Sequence, residues 1–117
     1  MSAEWIMHKG KRILLIDYSG LTAPQQLAQI KNAAQMLVDT KATDNLSLTN
    51  VRNTHVTQEF IDLAKEQGKI SAPLTKKAAI VGISGIRKII LKAVNTVSGN
   101  PRVPFDTVEQ AKDWLAQ

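Results

Sequence analysis

Two continuous apolar runs constrain the fold of this chain more than any other feature of its sequence. They are residues 13–16 (ILLI) and residues 78–83 (AAIVGI). Strands that are apolar at successive positions are typical of a sheet that is covered on both faces. Each run is followed within a few residues by a side chain that favours a helix start, Thr22 after the first and Ser84 after the second. The pattern predicts an α/β domain.

The remaining elements of the first half follow from local signals. Residues 4–8 alternate as a short strand does, and Lys9-Gly10 is a plausible tight turn, since Gly10 tolerates a positive φ. Thr22 and Gln25 have the spacing of a capping box, and the helix that they begin runs to about residue 39. Residues 46–51 alternate with period two and predict the next strand.

The second half continues the alternation. A helix is indicated before Gly68, which we expect to end it, and an apolar stripe over residues 86–97 indicates another helix after Ser84. Residues 102–105 form at best an edge strand, because prolines flank and interrupt them. Asp106 and Glu109 have the spacing of a second capping box before the last helix. The predicted order is β-β-α-β-α-β-α-β-α over a single domain, residues 1–117. We expect a mostly parallel mixed sheet with an antiparallel N-terminal hairpin strand and with helices packed on the sheet.

Composition excludes several classes of site. The chain has no cysteine, so disulfides, thiolate metal sites and cysteine nucleophiles are ruled out. Its two histidines, His8 and His55, lie in different predicted elements, and we expect no metal, no cofactor and no enzymatic activity. The N-terminus lacks the pattern of a secretory signal, and no apolar run is long enough to be a transmembrane segment, which predicts a cytoplasmic protein.

Positive charge is concentrated in one third of the chain. The formal net charge is +5, and residues 65–102 contain eight lysines and arginines but one acid, Glu66. Such a stretch could attract nucleic acid or another anionic partner. An ordinary solvated surface is the simpler interpretation, and we do not expect nucleic-acid binding as the main function.

Three stretches of the sequence resemble the SpoIIAA-like family of STAS proteins, which is related to the CRAL-TRIO lipid-binding proteins. They are residues 17–20 (DYSG), residues 76–87 (KKAAIVGISGIR), and Phe105-Asp106 followed by residues 111–115 (AKDWL). The resemblance implies the STAS fold and a non-enzymatic regulatory or protein-interaction role. In the anti-sigma-factor antagonists of that family, a phosphorylatable Ser or Thr lies in an Asp-Ser-[Ser/Thr]-Gly motif after the third strand. This chain has NVRNTHVT at residues 50–57 instead, and Thr57 is interpreted as a helix N-cap.

Two groups of residues are candidate binding sites. The polar connection after the third strand is the candidate surface for an unknown protein partner, with Asn50, Arg52, Asn53, Thr54, His55 and Thr57. The predicted strand-to-helix turn is a candidate anion site, with Gly82, Ser84, Gly85, Arg87 and Lys88. The alternative for Gly82 is a turn in which the glycine allows close packing.

Three functions are consistent with these residues. The first is a STAS-like regulatory or protein-interaction module that docks through residues 50–57 and the helix that follows them, as a monomer or weak homodimer. The second is binding of a small apolar or lipid-like ligand beneath the helices, and the third is nucleic-acid binding through residues 65–102.

Overall fold

Five strands and three helices make up the described part of the protein, which in this computed structural model comprises residues 2–83, 92 and 102–117. The strands are β1 (Ser2–His8), β2 (Lys11–Asp17), β3 (Asn45–Asn50), β4 (Thr75–Val81) and β5 (Arg102–Phe105). The helices are α1 (Ala23–Asp39), α2 (Gln58–Ser71) and α3 (Val108–Leu115), and a short 3-10 turn (Ala72–Leu74) follows α2. The helix predicted over residues 86–97 lies outside the described residues except at residue 92, which is helical.

The five strands form one sheet in chain order, β1-β2-β3-β4-β5. β1 pairs antiparallel with β2, and every later pair is parallel. This arrangement confirms the predicted α/β class and the mixed sheet with an antiparallel N-terminal strand. β5 lies at an edge, as its prolines predict, with Pro104 opposite Ile80.

The turn between β1 and β2 has the backbone that its sequence predicts. Lys9 has φ 50° and Gly10 has φ 79°, so both central residues are in the left-handed region. Two such residues are the signature of a hairpin turn whose twist matches that of the strands.

Side-chain caps begin each of the three helices. Thr22 and Gln25 form the predicted capping box, and the Thr57 hydroxyl accepts a hydrogen bond from the Phe60 amide, which confirms Thr57 as an N-cap. The predicted Asp106–Glu109 capping box is wrong, because α3 is capped one residue later by Thr107, whose hydroxyl accepts from the Gln110 amide. Both positions carry a residue suited to capping, so local chemistry alone does not choose between them.

The sheet separates two apolar clusters. On one face Leu14, Ile16 and Tyr18 pack with residues of α1 and α2, including Ile30 and Phe60. On the other face Ile13, Leu48 and Val81 pack against Ala111 and Leu115 of α3. Residues 13 and 14 are both fully buried, one on each face, as a strand that is covered on both sides requires.

The prediction that Gly68 ends the second helix is wrong. α2 continues through it to Ser71, and Gly68 is the buried residue of that helix. A glycine inside a helix lowers its stability by about 1 kcal/mol relative to alanine, so a glycine at this position needs an explanation from packing. Gly68 faces the space between α2 and the sheet.

Candidate ligand-binding cavity

An apolar cavity of about 120 Å³ lies between the sheet and helices α1 and α2. Its apolar wall is formed by side chains of β2, β4, both helices and the connection after β3. The main contributors are Ile16, Ile30, Leu37, Val51, Phe60 and Ile80. The cavity is partly open to the surface, and concave, mostly apolar spaces of this kind are where proteins bind small molecules, so it is a candidate site.

Small side chains leave this space open. Ala33 and Ala34 face it from α1, Ala64 and Gly68 face it from α2, and Ala78 faces it from β4. These positions fall where two helices and a sheet converge, which in a filled core would carry larger side chains. The buried Gly68 is therefore part of the cavity wall, which explains why a glycine lies inside α2.

Tyr18 brings a polar group into the apolar wall. Its side chain is 5% exposed and meets the Phe60 ring edge-on, with ring centroids 5.2 Å apart. Within the described ranges no residue forms a hydrogen bond with the Tyr18 hydroxyl. Burial raises the pKa of this hydroxyl far above its usual value, and the charge of Arg102 opposes that rise. Tyr18 therefore stays neutral and keeps its proton to donate.

Arg102 brings positive charge to the same cavity. It is the first residue of β5, it is partly buried, and it lines the cavity. Burial lowers the pKa of its guanidinium, and Tyr18 partly offsets that effect. Because an arginine does not lose its proton in proteins, this wall carries a cation. Tyr18 follows β2 and Arg102 begins β5, so the two side chains reach the cavity from different strands of the same sheet.

The structure divides the predicted partner surface into buried and exposed residues. Thr54 is 1% exposed, so the prediction that it belongs to a docking surface is wrong. Its hydroxyl donates to the Arg52 carbonyl at 3.1 Å, which folds the loop back on itself. Thr57 is used as the α2 cap, and Asn50 accepts from the Arg52 amide at 3.1 Å.

Arg52, Asn53 and His55 are the exposed members of that surface. The Arg52 guanidinium donates to the Asp106 carbonyl at 2.9 Å, which ties the loop to the segment before α3. Asn53 has φ 52°, a left-handed conformation that asparagine tolerates better than most residues. The same loop contributes Val51 and Val56 to the cavity wall, so it borders both the cavity and the surface.

Two buried glutamines of α1, which the sequence analysis did not single out, hold the loops at this edge of the sheet. The Gln26 side-chain amide donates to the His55 carbonyl at 3.0 Å and to the Leu21 carbonyl at 3.4 Å. The Gln29 amide donates to the Asp17 carbonyl at 3.2 Å. Gln26 lies one helical turn before Ile30 and Gln29 one turn before Ala33, so both fall on the buried stripe of α1, and that periodicity was the signal for their burial. The buried Gln26 Oε1 has no hydrogen-bond partner among the described residues.

Gly82 has a packing role in the described structure. Its φ is +98°, and a Cβ at this position would lie 2.6 Å from the Arg52 amide nitrogen. The glycine thus lets the turn after β4 approach the loop after β3. This is the close-packed turn that the sequence analysis gave as the alternative for Gly82. The other members of the candidate anion site, Ser84, Gly85, Arg87 and Lys88, lie outside the described residues.

The basic stretch does not present all of its charges on one surface. Arg102 lines the cavity, and the Lys77 ammonium donates to the Trp114 carbonyl at 3.2 Å and lies 5.1 Å from the Trp114 ring centroid. Lys65 and Lys69 lie on α2, whereas Lys76 lies on β4.

No family model, curated protein or solved structure matches this chain. Among the helices of the described residues, none has both the length and the apolar character that crossing a membrane requires.

Proposed function

We propose that this protein is a binding module whose cavity takes a small, largely apolar molecule. The observation that carries the proposal is the cavity between α1, α2 and the sheet, whose wall combines large apolar side chains with a set of small ones. Sites for small molecules are concave, mostly apolar and furnished with a few polar groups, and Tyr18 and Arg102 supply such groups here.

The volume limits the ligand. A cavity of about 150 Å³ in another protein holds a benzene molecule. At about 120 Å³ this cavity has room for one small ring or a short branched chain. A ligand of this size has few atoms, and we expect dissociation constants of about 10 μM to 1 mM.

The test is a titration of the protein with toluene, followed through the methyl resonances of isoleucine and leucine. Toluene should shift the methyl signals of Ile16, Ile30 and Ile80, which line the cavity. The signals of Ile13 and Leu48 should not move, because they belong to the cluster on the opposite face. Shifts on both faces alike, or none at millimolar toluene, would overturn the proposal.

Ala34→Leu is the matched variant for this titration. Ala34 is buried and lines the cavity, so a leucine side chain would occupy part of the space that toluene needs. The folded variant should lose the toluene-induced shifts of Ile30 and Ile80.

A second candidate function is docking of a protein partner, in keeping with the STAS-like resemblance. The observation that favours it is the exposed group Arg52, Asn53 and His55 on a loop held by internal hydrogen bonds. A partner captured by the wild-type protein should be lost on Asn53→Ala, with Asn32→Ala, an exposed position on α1, as the control. Capture that is unchanged by substitution of all three loop residues would contradict docking at this surface.

A further inference from the structure

We propose that the ligand of this cavity carries a carboxylate, which the Arg102 guanidinium and the Tyr18 hydroxyl bind while its apolar body lies between α1, α2 and the sheet. This inference rests on the proposed function, and it specifies the chemical class of the molecule that fills the site. The ligand class is a small monocarboxylate with one ring or a short branched chain.

The position of the two polar groups is the first reason. The wall is mainly apolar, and its polar members include one cation, Arg102, and the hydroxyl of Tyr18, which line the same space. The other polar side chains of the lining are uncharged: Ser47, Thr49, Gln67, Ser71 and Thr75. Arginine matches a carboxylate with parallel N–H donors, and a tyrosine hydroxyl supplies one further donor. Neither group suits a hydrocarbon, which would offer no acceptor to either.

The cost of burying the guanidinium is the second reason. Arg102 is partly buried where it lines the cavity, so its guanidinium has lost part of its contact with water, and burial lowers its pKa accordingly. A purely apolar ligand would remove still more water from that cation, whereas an anion would offset the loss.

The experiment compares benzoate with benzamide at pH 7 by calorimetric titration. The two probes have the same ring and nearly the same shape, but only benzoate carries a charge. Wild-type protein should bind benzoate at least tenfold more tightly than benzamide. Arg102→Gln should weaken benzoate binding about tenfold to a hundredfold, while benzamide binding changes less than about threefold, since hydrogen bonds to charged groups carry this much affinity.

Two further variants separate the cavity from the surface. Tyr18→Phe removes the hydroxyl and keeps the ring that contacts Phe60, and it should weaken benzoate several-fold more than benzamide. Arg12→Gln removes an arginine that is exposed on β2 and outside the cavity lining, and it should leave the affinity for benzoate unchanged. Thermal unfolding of each variant establishes that it is folded. If Arg102→Gln fails to fold, the ratio of benzoate affinity to benzamide affinity, compared between wild type and Tyr18→Phe, tests the proposal instead.

The outcomes distinguish this inference from the function on which it rests. Equal affinities for benzoate and benzamide, or an equal loss of both in Arg102→Gln, would overturn the inference that the ligand carries a carboxylate. The apolar cavity would remain the binding site. Loss of benzoate binding in Arg12→Gln would place the anion on the surface and would also overturn the inference. Absence of binding by toluene, benzamide and benzoate together would overturn the proposed function itself.

Discussion

Gly82 illustrates how a single residue controls the approach of two loops. Its φ of +98° is a conformation that other residues rarely adopt, and the Arg52 backbone occupies the place where a Cβ would be. A substitution therefore meets both backbone strain and a collision with main-chain atoms, which cannot move aside as a flexible side chain can.

Gly82→Ala should lower the free energy of unfolding by about 3 kcal/mol or more, because strain and steric overlap add. Gly10→Ala is the matched control, since Gly10 also has a positive φ, +79°, but has open space around it. Its cost should be about 1–2 kcal/mol, that of the backbone conformation alone. Urea denaturation of both variants makes the comparison, and equal losses would show that the contact with Arg52 is not tight.

Gln26 is the residue through which α1 fixes the loop after β3. Gln26→Ala should cost about 1–3 kcal/mol, because it leaves the His55 carbonyl without its donor in a partly buried hydrogen bond. It should also accelerate amide hydrogen exchange over residues 50–57. Gln35→Ala in the same helix is the control, since Gln35 is exposed and donates to Asp39 of the same helix. Its effect should stay within about 0.5 kcal/mol, and equal effects of the two substitutions would contradict the role of Gln26.

Sequence patterns predicted elements well where the determining interactions are local. The Thr22 capping box, the Thr57 cap and the Lys9-Gly10 turn each depend on residues within four positions of one another, and all three are confirmed. The end of α2 was missed at Gly68, because a glycine stops a helix only where tertiary packing does not continue it. Thr54 was missed for a related reason, since its burial depends on elements distant in sequence.

The hairpin and α3 are joined by an ionic contact that should depend on pH. The Asp113 carboxylate accepts from the His8 imidazole at 2.7 Å and from the Lys9 ammonium at 3.0 Å. The hydrogen bond from His8, and then that from Lys9, lowers the pKa of Asp113 below its usual value. A lowered pKa in the folded state means that the contact stabilises the protein above the unfolded-state pKa of about 4, and that this contribution disappears as the pH falls through the folded-state pKa.

Asp113→Asn should therefore be less stable than wild type at pH 6, and the two should converge as the pH is lowered toward 2. Denaturation at a series of pH values measures the difference. Because Asp113 is exposed, 0.5 M NaCl should reduce the difference at pH 6. A difference that stays constant from pH 6 to pH 2 would show that the charge of Asp113 is not its source.

At the scale of the whole molecule, the two faces of the sheet differ in packing. The face under α3 is closed by fully buried Ala111 and Leu115, whereas the face under α1 and α2 contains the cavity. The sheet and the helix order could be predicted from the alternation of apolar runs and helical stripes. The cavity could not, because it results from small side chains on β4, α1 and α2 that meet only in the folded protein.

Enlarging one alanine on each face should give opposite results. Ala34→Leu places its added carbons in the cavity, so the free energy of unfolding should stay the same or rise. Ala111→Leu forces the same carbons into a packed cluster and should lower it by about 1–3 kcal/mol. Thermal and urea denaturation of the two variants measure the contrast, and a larger loss in Ala34→Leu would contradict the difference between the faces.

The most direct test of the central claim is a crystal structure of the protein under xenon pressure, since xenon enters apolar cavities that water leaves empty. The cavity described here predicts a xenon peak in contact with Ile16, Ile30 and Ile80, and no peak in the Ala34→Leu variant. A closed interior at this position, with the side chains of α1, α2 and the sheet in direct contact and no bound xenon, would contradict the claim that this protein is built around a ligand site.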